Sequence, residues 1–270
     1  MLGAVCGDII GSYYEVHCTK DYNFQLLRAE STFTDDTVLC AAVCDAILYR
    51  DTACKSFREQ RERTKEYAAR YRMYYRRYPN AGFGQMFSAW AERSENSLYH
   101  SFGNGGAMRA VPIGWAYDSL KETLRQAKLS CLSTHAHPQA IHAAAVYCAR
   151  SGGTRDEIRL AVERASGYDL SFSLESLRAS YRFSAAAVDS VPQAIRAFLE
   201  SSDYEDAVRI AVSLGGDADT MGCISGGIAE AFYGSVPANI RNACLLRLDG
   251  SLKEIFHLFE QRYSKQSRCL

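Results

Sequence analysis

The chain has 270 residues, 47% of them hydrophobic and 23% charged, with a formal net charge of zero. That balance suits a globular protein able to bury a full core, and it leaves no global field to draw the chain to nucleic acid or an acidic membrane. The first residues lack a basic leader with an apolar core, and no run of 18 apolar residues occurs, so a cytoplasmic protein is expected.

Near the start, "GAVCGDIIG" spaces Gly3, Gly7 and Gly11 four residues apart. On a helix this leaves one face bare, so that another backbone can approach closely. Next comes "STFTDDTVLC". Thr34 can cap a helix, Asp35 and Asp36 suit the positive end of its dipole, and an apolar run follows. Read alone, this stretch needs no more than a helix start.

The segment "SFREQRERTKEYAARYRMYYRRYP" is basic and rich in tyrosine. It reads as an amphipathic helix with tyrosines packed inward and arginines solvated, in preference to a nucleic-acid surface. In "SFGNGGAMRAVPIGW", Gly103, Gly105 and Gly106 expose backbone amides and allow a phosphate to approach. The stretch has neither the G-K-[ST] of a Walker loop nor the preceding strand of a dinucleotide fingerprint.

Apolar positions then recur at three to four: Leu120, Leu124, Ala127 and Cys131, then Ile141, Ala144, Ala145 and Cys148, and later Tyr204, Ala207, Val208, Ala211 and Val212. Sustained period-two alternation is absent. An all-α fold follows, and with no linker or repeat the chain reads as a single domain over 1–270. "STHAHPQAIH" offers His135, His137 and His142 without the barrel strands that an H-x-H metal site of the amidohydrolase kind needs. His135 beside a ligand and a structural His142 are the expectations. The ten cysteines contain no C-x-x-C pair and read as small hydrophobes in a reducing compartment, Cys269 included.

"SLGGDADTMGCISGG" echoes the earlier acidic mouth: Asp217, Asp219 and Thr220 open a second apolar helix. It is not an EF-hand, because Met221 and Ile228 stand where the fifth and twelfth ligands belong. Two acidic helix mouths offering only oxygen suit a hard divalent cation, whereas zinc would favour nitrogen and sulfur. The repetition favours one shared metal site over two separate caps.

In order, "GAVCGDIIGSYYE", "FTDDT", "YPNAGFGQMF", "SFGNGGAMRAVPIGW", "THAHP" and "SLGGDADTMGCISGGIAEAFYG" resemble the ADP-ribosylglycohydrolase family from about Leu2 to Pro237. The resemblance implies a compact, orthogonal multi-helix bundle with a central two-metal cleft. It implies metal ligation by Thr34, Asp35, Asp36, Asp217, Asp219 and Thr220, with magnesium first and manganese second. It also places Glu15 at the catalytic glutamate of the branch acting on O-linked ADP-ribose; beside it, Asp36, as a metal-ligating aspartate, is the second candidate for accepting the proton. Ser101, Phe102, Gly103, Asn104, Gly105, Gly106 and His135 would contact the ADP-ribose, Phe102 replacing a tyrosine of that branch and losing its hydroxyl. Glu15 and four aspartates in one cleft would carry about five negative charges, which two divalent cations would nearly neutralise.

The implied activity is hydrolysis at C1 of the terminal ribose of ADP-ribosylated proteins or small molecules, through an oxocarbenium-like transition state. A nucleic-acid acceptor stays open, as does a monomeric state. The competing expectation is a non-catalytic ADP-ribose sensor of the same fold.

Overall fold

A computed structural model describes residues 1–50, 54, 56–93, 99–135 and 142–263. The expectations placed on His137, Ile141 and Cys269 lie outside the described residues. Within them the chain is helical, with no named strand. Helices α1 (Leu2–Val16) and α2 (Asp35–Tyr49) are followed by α3 (Phe57–Arg77), α4 (Gln85–Glu92), the single turn α5 (Gly105–Met108), α6 (Val111–Ala116), α7 (Leu120–Cys131) and α8 (His142–Arg150). The second half continues with α9 (Arg155–Ser166), α10 (Leu174–Arg178), α11 (Ala187–Glu200), α12 (Tyr204–Val212), α13 (Ala218–Tyr233), α14 (Ala238–Leu245) and α15 (Gly250–Tyr263).

The helix starts carry local signals. Ser56 and Glu59 form a capping box on α3, Thr154 and Glu157 form another on α9, and Asp203 caps α12. The apolar stripe expected on α12 is the buried one: Tyr204, Ala207, Val208, Ala211 and Val212 all face inward.

The bare face of α1 meets α13, which is buried from Ala218 to Ala231. The two helices run antiparallel, with Gly3 opposite Gly226, Gly7 opposite Gly222 and Gly11 opposite Ala218. A Cβ on Gly7 would lie 2.0 Å from the Gly222 carbonyl oxygen, and one on Gly222 would lie 2.5 Å from that of Gly7. Only hydrogen fits between these backbones. The contact therefore joins the C-terminal end of α1, carrying Glu15, to the N-terminal end of α13, carrying Asp217 and Asp219.

Two expectations are corrected in this part of the chain. On α3, Tyr67, Tyr71 and Tyr74 do pack inward, but Arg63 and Arg72 are buried with them. Arg63 stacks 4.5 Å over Tyr67 and donates to the Ala46 carbonyl at 2.9 Å, and Arg72 lies 3.9 Å over Trp90. A planar guanidinium can be buried when a ring covers its face and oxygens take its N–H groups. On α7, Leu120 and Leu124 are only half-buried, while the polar Thr123, Gln126 and Ser130 are inside. The reason is the same network: Gln126 Oε1 accepts from Arg63 Nε at 3.3 Å and Tyr67 OH at 3.2 Å, and the Ser130 carbonyl accepts from Tyr71 OH at 3.0 Å.

The nine described cysteines are free thiols; Cys18 is exposed, Cys148 is half-buried and the others are buried. Among the described residues no helix is long and apolar enough to cross a membrane.

The glycine contact makes a direct prediction. Alanine at position 7 gains about 1 kcal/mol of helix propensity. It must also push two backbones apart, and overpacking of this kind costs about 1–3 kcal/mol. Gly7→Ala should lower the urea midpoint of unfolding, and an unchanged or raised midpoint would contradict the packing described.

Candidate active site

The mouth of α2 is built by a residue from α1 that the sequence reading passed over. Asp8 sits in the middle of α1 and is fully buried. Its carboxylate accepts from Thr34 N at 3.1 Å, Thr34 Oγ1 at 2.8 Å and Thr37 N at 3.1 Å, as well as from Thr37 Oγ1. Burial raises its pKa to about 6 even against these four donors.

Thr34 is the N-cap of α2, in extended backbone, and its hydroxyl oxygen accepts from Asp36 N at 3.3 Å. The capping role seen in the sequence therefore belongs to Thr34, which leaves the carboxylates of Asp35 and Asp36 for other work. Asp36 Oδ2 accepts from Thr220 Oγ1 at 3.3 Å, and Asp36 Oδ1 is buried with no hydrogen-bond partner among the described residues.

Opposite stands the mouth of α13. Gly215, at φ +71°, makes a left-handed turn that a side chain would strain, and Asp217 follows as the N-cap. Asp217 Oδ2 accepts from Asn104 Nδ2 at 2.8 Å, and Asn104 also donates to Ser190 Oγ at 3.0 Å. Asp219 is buried two residues on, its Oδ1 accepting from Thr220 N at 2.8 Å.

Glu15, Asp217 and Asp219 each offer a carboxylate oxygen, all within 4.8 Å of one another. Burial, followed by the charges of Asp8, Asp217 and Glu15, raises Asp35 to about 8. Asp36 and Asp219 are pushed well above the usual carboxylate range by burial and by neighbouring acids. Glu15 is raised by burial and by Asp217, against a hydrogen bond with Asp219.

Among the described residues, neither Glu15 nor any of Asp8, Asp35, Asp36, Asp217 and Asp219 forms an ion pair with lysine or arginine. An oxygen-only donor set, an orphaned buried carboxylate oxygen and uncompensated negative charge all fit a hard divalent cation.

These acids line one wall of a cleft of about 700 Å³. Glu15, Asp35, Asp36, Asp217, Asp219 and Thr220 all reach it, together with Ser101, Gly103, Asn104, Gly105 and His135 of the expected ligand-contacting set. Thr34, Phe102 and Gly106 do not line it. Thr34 supports from behind, Gly106 is buried, and Phe102 is 72% exposed with its carbonyl accepting from Ala187 N at 2.9 Å. The glycine stretch leads into α5, only one turn long, and pairs through isolated bridges, Ser101 with His135 and Gly103 with Ala186.

His135 is buried and held neutral by burial and by the nearby Arg109 cation. His142 is also buried; neither ring nitrogen has a partner among the described residues, and burial lowers its pKa to about 3.

Sequence reasoning missed Asp8, Arg109, Tyr99 and Phe183, and gave no role to Gly82, Gly84 and Met86 of "YPNAGFGQMF", which also line the cleft. Asp8 did carry a signal: an acid amid an apolar helical stretch must be paired or hydrogen-bonded if buried. The remainder carried none.

Fold and donor set together define an all-α enzyme with an acidic, oxygen-lined cleft. Residues 1–267 match the sequence model of the ADP-ribosylglycohydrolase family, and the chain belongs to that family. It is accordingly a hydrolase. It is 26% identical to ADP-ribosylhydrolase ARH3 of Homo sapiens, across 90% of this chain and 87% of that one, and 26% identical to ADP-ribosylhydrolase ARH3 of Danio rerio, across 90% and 85%. A solved structure titled "ADP-ribosylglycohydrolase-related protein complex" superposes with a TM-score of 0.64 at 24% identity, over 97% of this chain and 96% of that one. That likeness concerns the fold.

Asp8 generates a prediction of its own. Asp8→Ala orphans four donors, two of them backbone N–H groups, at about 1–3 kcal/mol for each one left buried. Chemical denaturation should show a loss of several kcal/mol, with turnover falling alongside as the α2 mouth loosens. A variant as stable as the parent would show that Asp8 does not hold that mouth.

Proposed function

We propose that the protein is a metal-dependent hydrolase that cleaves the bond from C1 of a terminal ribose to an oxygen or nitrogen of an ADP-ribosylated group, releasing ADP-ribose. The observation that carries this reading is the convergence of Glu15, Asp217 and Asp219 within 4.8 Å, in a cleft shared with Asp35 and Asp36. Thr34, Asp35, Asp36, Asp217, Asp219 and Thr220 would hold the cation, magnesium before manganese. When bound, a divalent cation supplies Lewis acidity and charge neutralisation to such a site.

The chain's own residues do the remainder. Ser101, Gly103, Asn104 and Gly105 form a wall with little side-chain bulk, where a diphosphate and ribose can approach backbone. A Cβ on Gly105 would lie 3.4 Å from the His135 ring, so the fold itself does not demand glycine there and the space is left to a ligand. Glu15, at the exposed end of α1 beside Asp217 and Asp219, exchanges the proton of the attacking water. Asp36, with one oxygen unpartnered, is the alternative proton acceptor.

The names of the relatives support an ADP-ribosylated substrate, on a protein or a small molecule. We also read residues 1–270 as one domain, acting as a cytoplasmic protein.

Glu15→Gln keeps the shape and removes the proton-accepting charge. Turnover of an O-linked ADP-ribosyl substrate should fall about 10²–10⁴-fold. Affinity for ADP-ribose and the melting temperature should change far less. Unimpaired turnover would move the role to Asp36, and equal losses in all three would make Glu15 a structural acid. Release of free ADP-ribose by the parent, abolished by EDTA and restored by magnesium, separates a hydrolase from a sensor that only binds.

A further inference from the structure

Behind the glycine wall lies a chain of polar groups that the acidic site does not use. Arg109, just after α5, is fully buried, stacks 4.2 Å over Tyr71 and has no carboxylate partner among the described residues. Its Nη2 donates to Thr134 Oγ1 at 2.6 Å and to the Ser130 carbonyl at 3.3 Å. Thr134 is buried too, and its Oγ1 lies 2.7 Å from His135 Nδ1.

A guanidinium can only donate, so the Thr134 oxygen is an acceptor on that side and keeps one proton to give. Among the described residues its other neighbour is the Cys131 carbonyl, 3.4 Å away and already accepting from Thr134 N at 2.9 Å and His135 N at 2.7 Å. With both carbonyl lone pairs engaged, the hydroxyl proton goes to His135 Nδ1. Burial, and after it the neighbouring cation, oppose a second proton on the ring, and a neutral ring that accepts at Nδ1 carries its single N–H at Nε2. The ring abuts Gly105: a Cβ there would lie 3.4 Å from Nε2.

We infer that Arg109 and Thr134 are positioning residues that lock His135 as a neutral Nε2–H donor facing the cleft at Gly105. An N–H there selects a ligand with an acceptor oxygen, of the phosphate or ribose hydroxyl class, and rejects a donor. The arrangement works without charge on the ring, so the donor persists across the pH range in which a free imidazole would titrate. The ligand side of this inference rests on the function proposed above, whereas the tautomer does not.

The test is nitrogen NMR of the ring in ¹⁵N-labelled full-length protein, read with ADP-ribose affinity by calorimetry and with the melting temperature. In the parent, His135 should show a protonated Nε2 and an unprotonated Nδ1, unchanged from pH 5 to pH 8. Thr134→Val keeps the shape and removes the hydroxyl; it should shift the ring toward the other tautomer and weaken ADP-ribose about tenfold, the scale of one good hydrogen bond. Thr134→Ser should restore both. A parent ring protonated at Nδ1, or a Thr134→Val ring that keeps the parent pattern, overturns the relay whatever the affinities. Should the parent show the expected tautomer and fail to bind ADP-ribose, the relay stands and the assignment of the cleft's ligand falls.

Discussion

The site depends on how closely α1 lies against α13. Gly7 and Gly222 meet carbonyl to Cα with no room for a methyl group. Because the helices are antiparallel, that contact carries the end of α1 to the start of α13, and so Glu15 to Asp217 and Asp219. A wider separation would break the trio, since carboxylate side chains are short and their oxygens must converge within a few ångströms to share a cation. α1 also grips α2 from its other side, through Asp8 and the two threonines of "TDDT". One helix thus sets the distance between both acidic mouths.

Concentrating acids in this way has an electrostatic consequence. Asp35, Asp36, Asp219 and Glu15 all bind protons more tightly than free carboxylates, because they are buried and because they face one another. Among the described residues no lysine or arginine forms an ion pair with these acids. Arg63, Arg72 and Arg109 are buried, and each is stacked on an aromatic face. Of these, Arg109 also lines the cleft, yet it forms no ion pair with the acids among the described residues. Cleft chemistry and core packing are separated by which oxygens and rings each charge meets.

The opposite wall follows a different logic. Ser101 to Gly105 present small residues, pinned by Asn104 to Asp217 and by isolated bridges to Ala186 and His135. Asn104 therefore ties the wall to the acids, so a ligand seated on the glycines would sit at a set distance from the carboxylates.

Much of this was legible in the residues themselves. Helical periodicity announces the all-α class, the Gly3–Gly7–Gly11 spacing announces a close backbone approach, and the paired acid–threonine helix mouths announce a shared oxygen-rich site. The first two signals are local, written within a few turns of one helix, whereas the third is read by comparing two short helix starts far apart in the chain. Asp8 was within reach of the same reasoning, as a lone acid on an apolar face. What the chain order does not carry is which partner fills the bare face of α1, because any small-residue helix would serve. Nor does it carry the burial of Arg63 and Arg72, which a polar-helix pattern assigns to solvent until an aromatic ring from elsewhere covers them. The outward turn of Phe102 and the union of Arg109, Thr134 and His135 behind the glycines were likewise decided only when α5, α7 and the α11 entry packed together. Local sequence determines periodicity and caps, whereas tertiary packing alone determines which distant groups share a low-dielectric space, and so which charges, protons and ligands that space will hold.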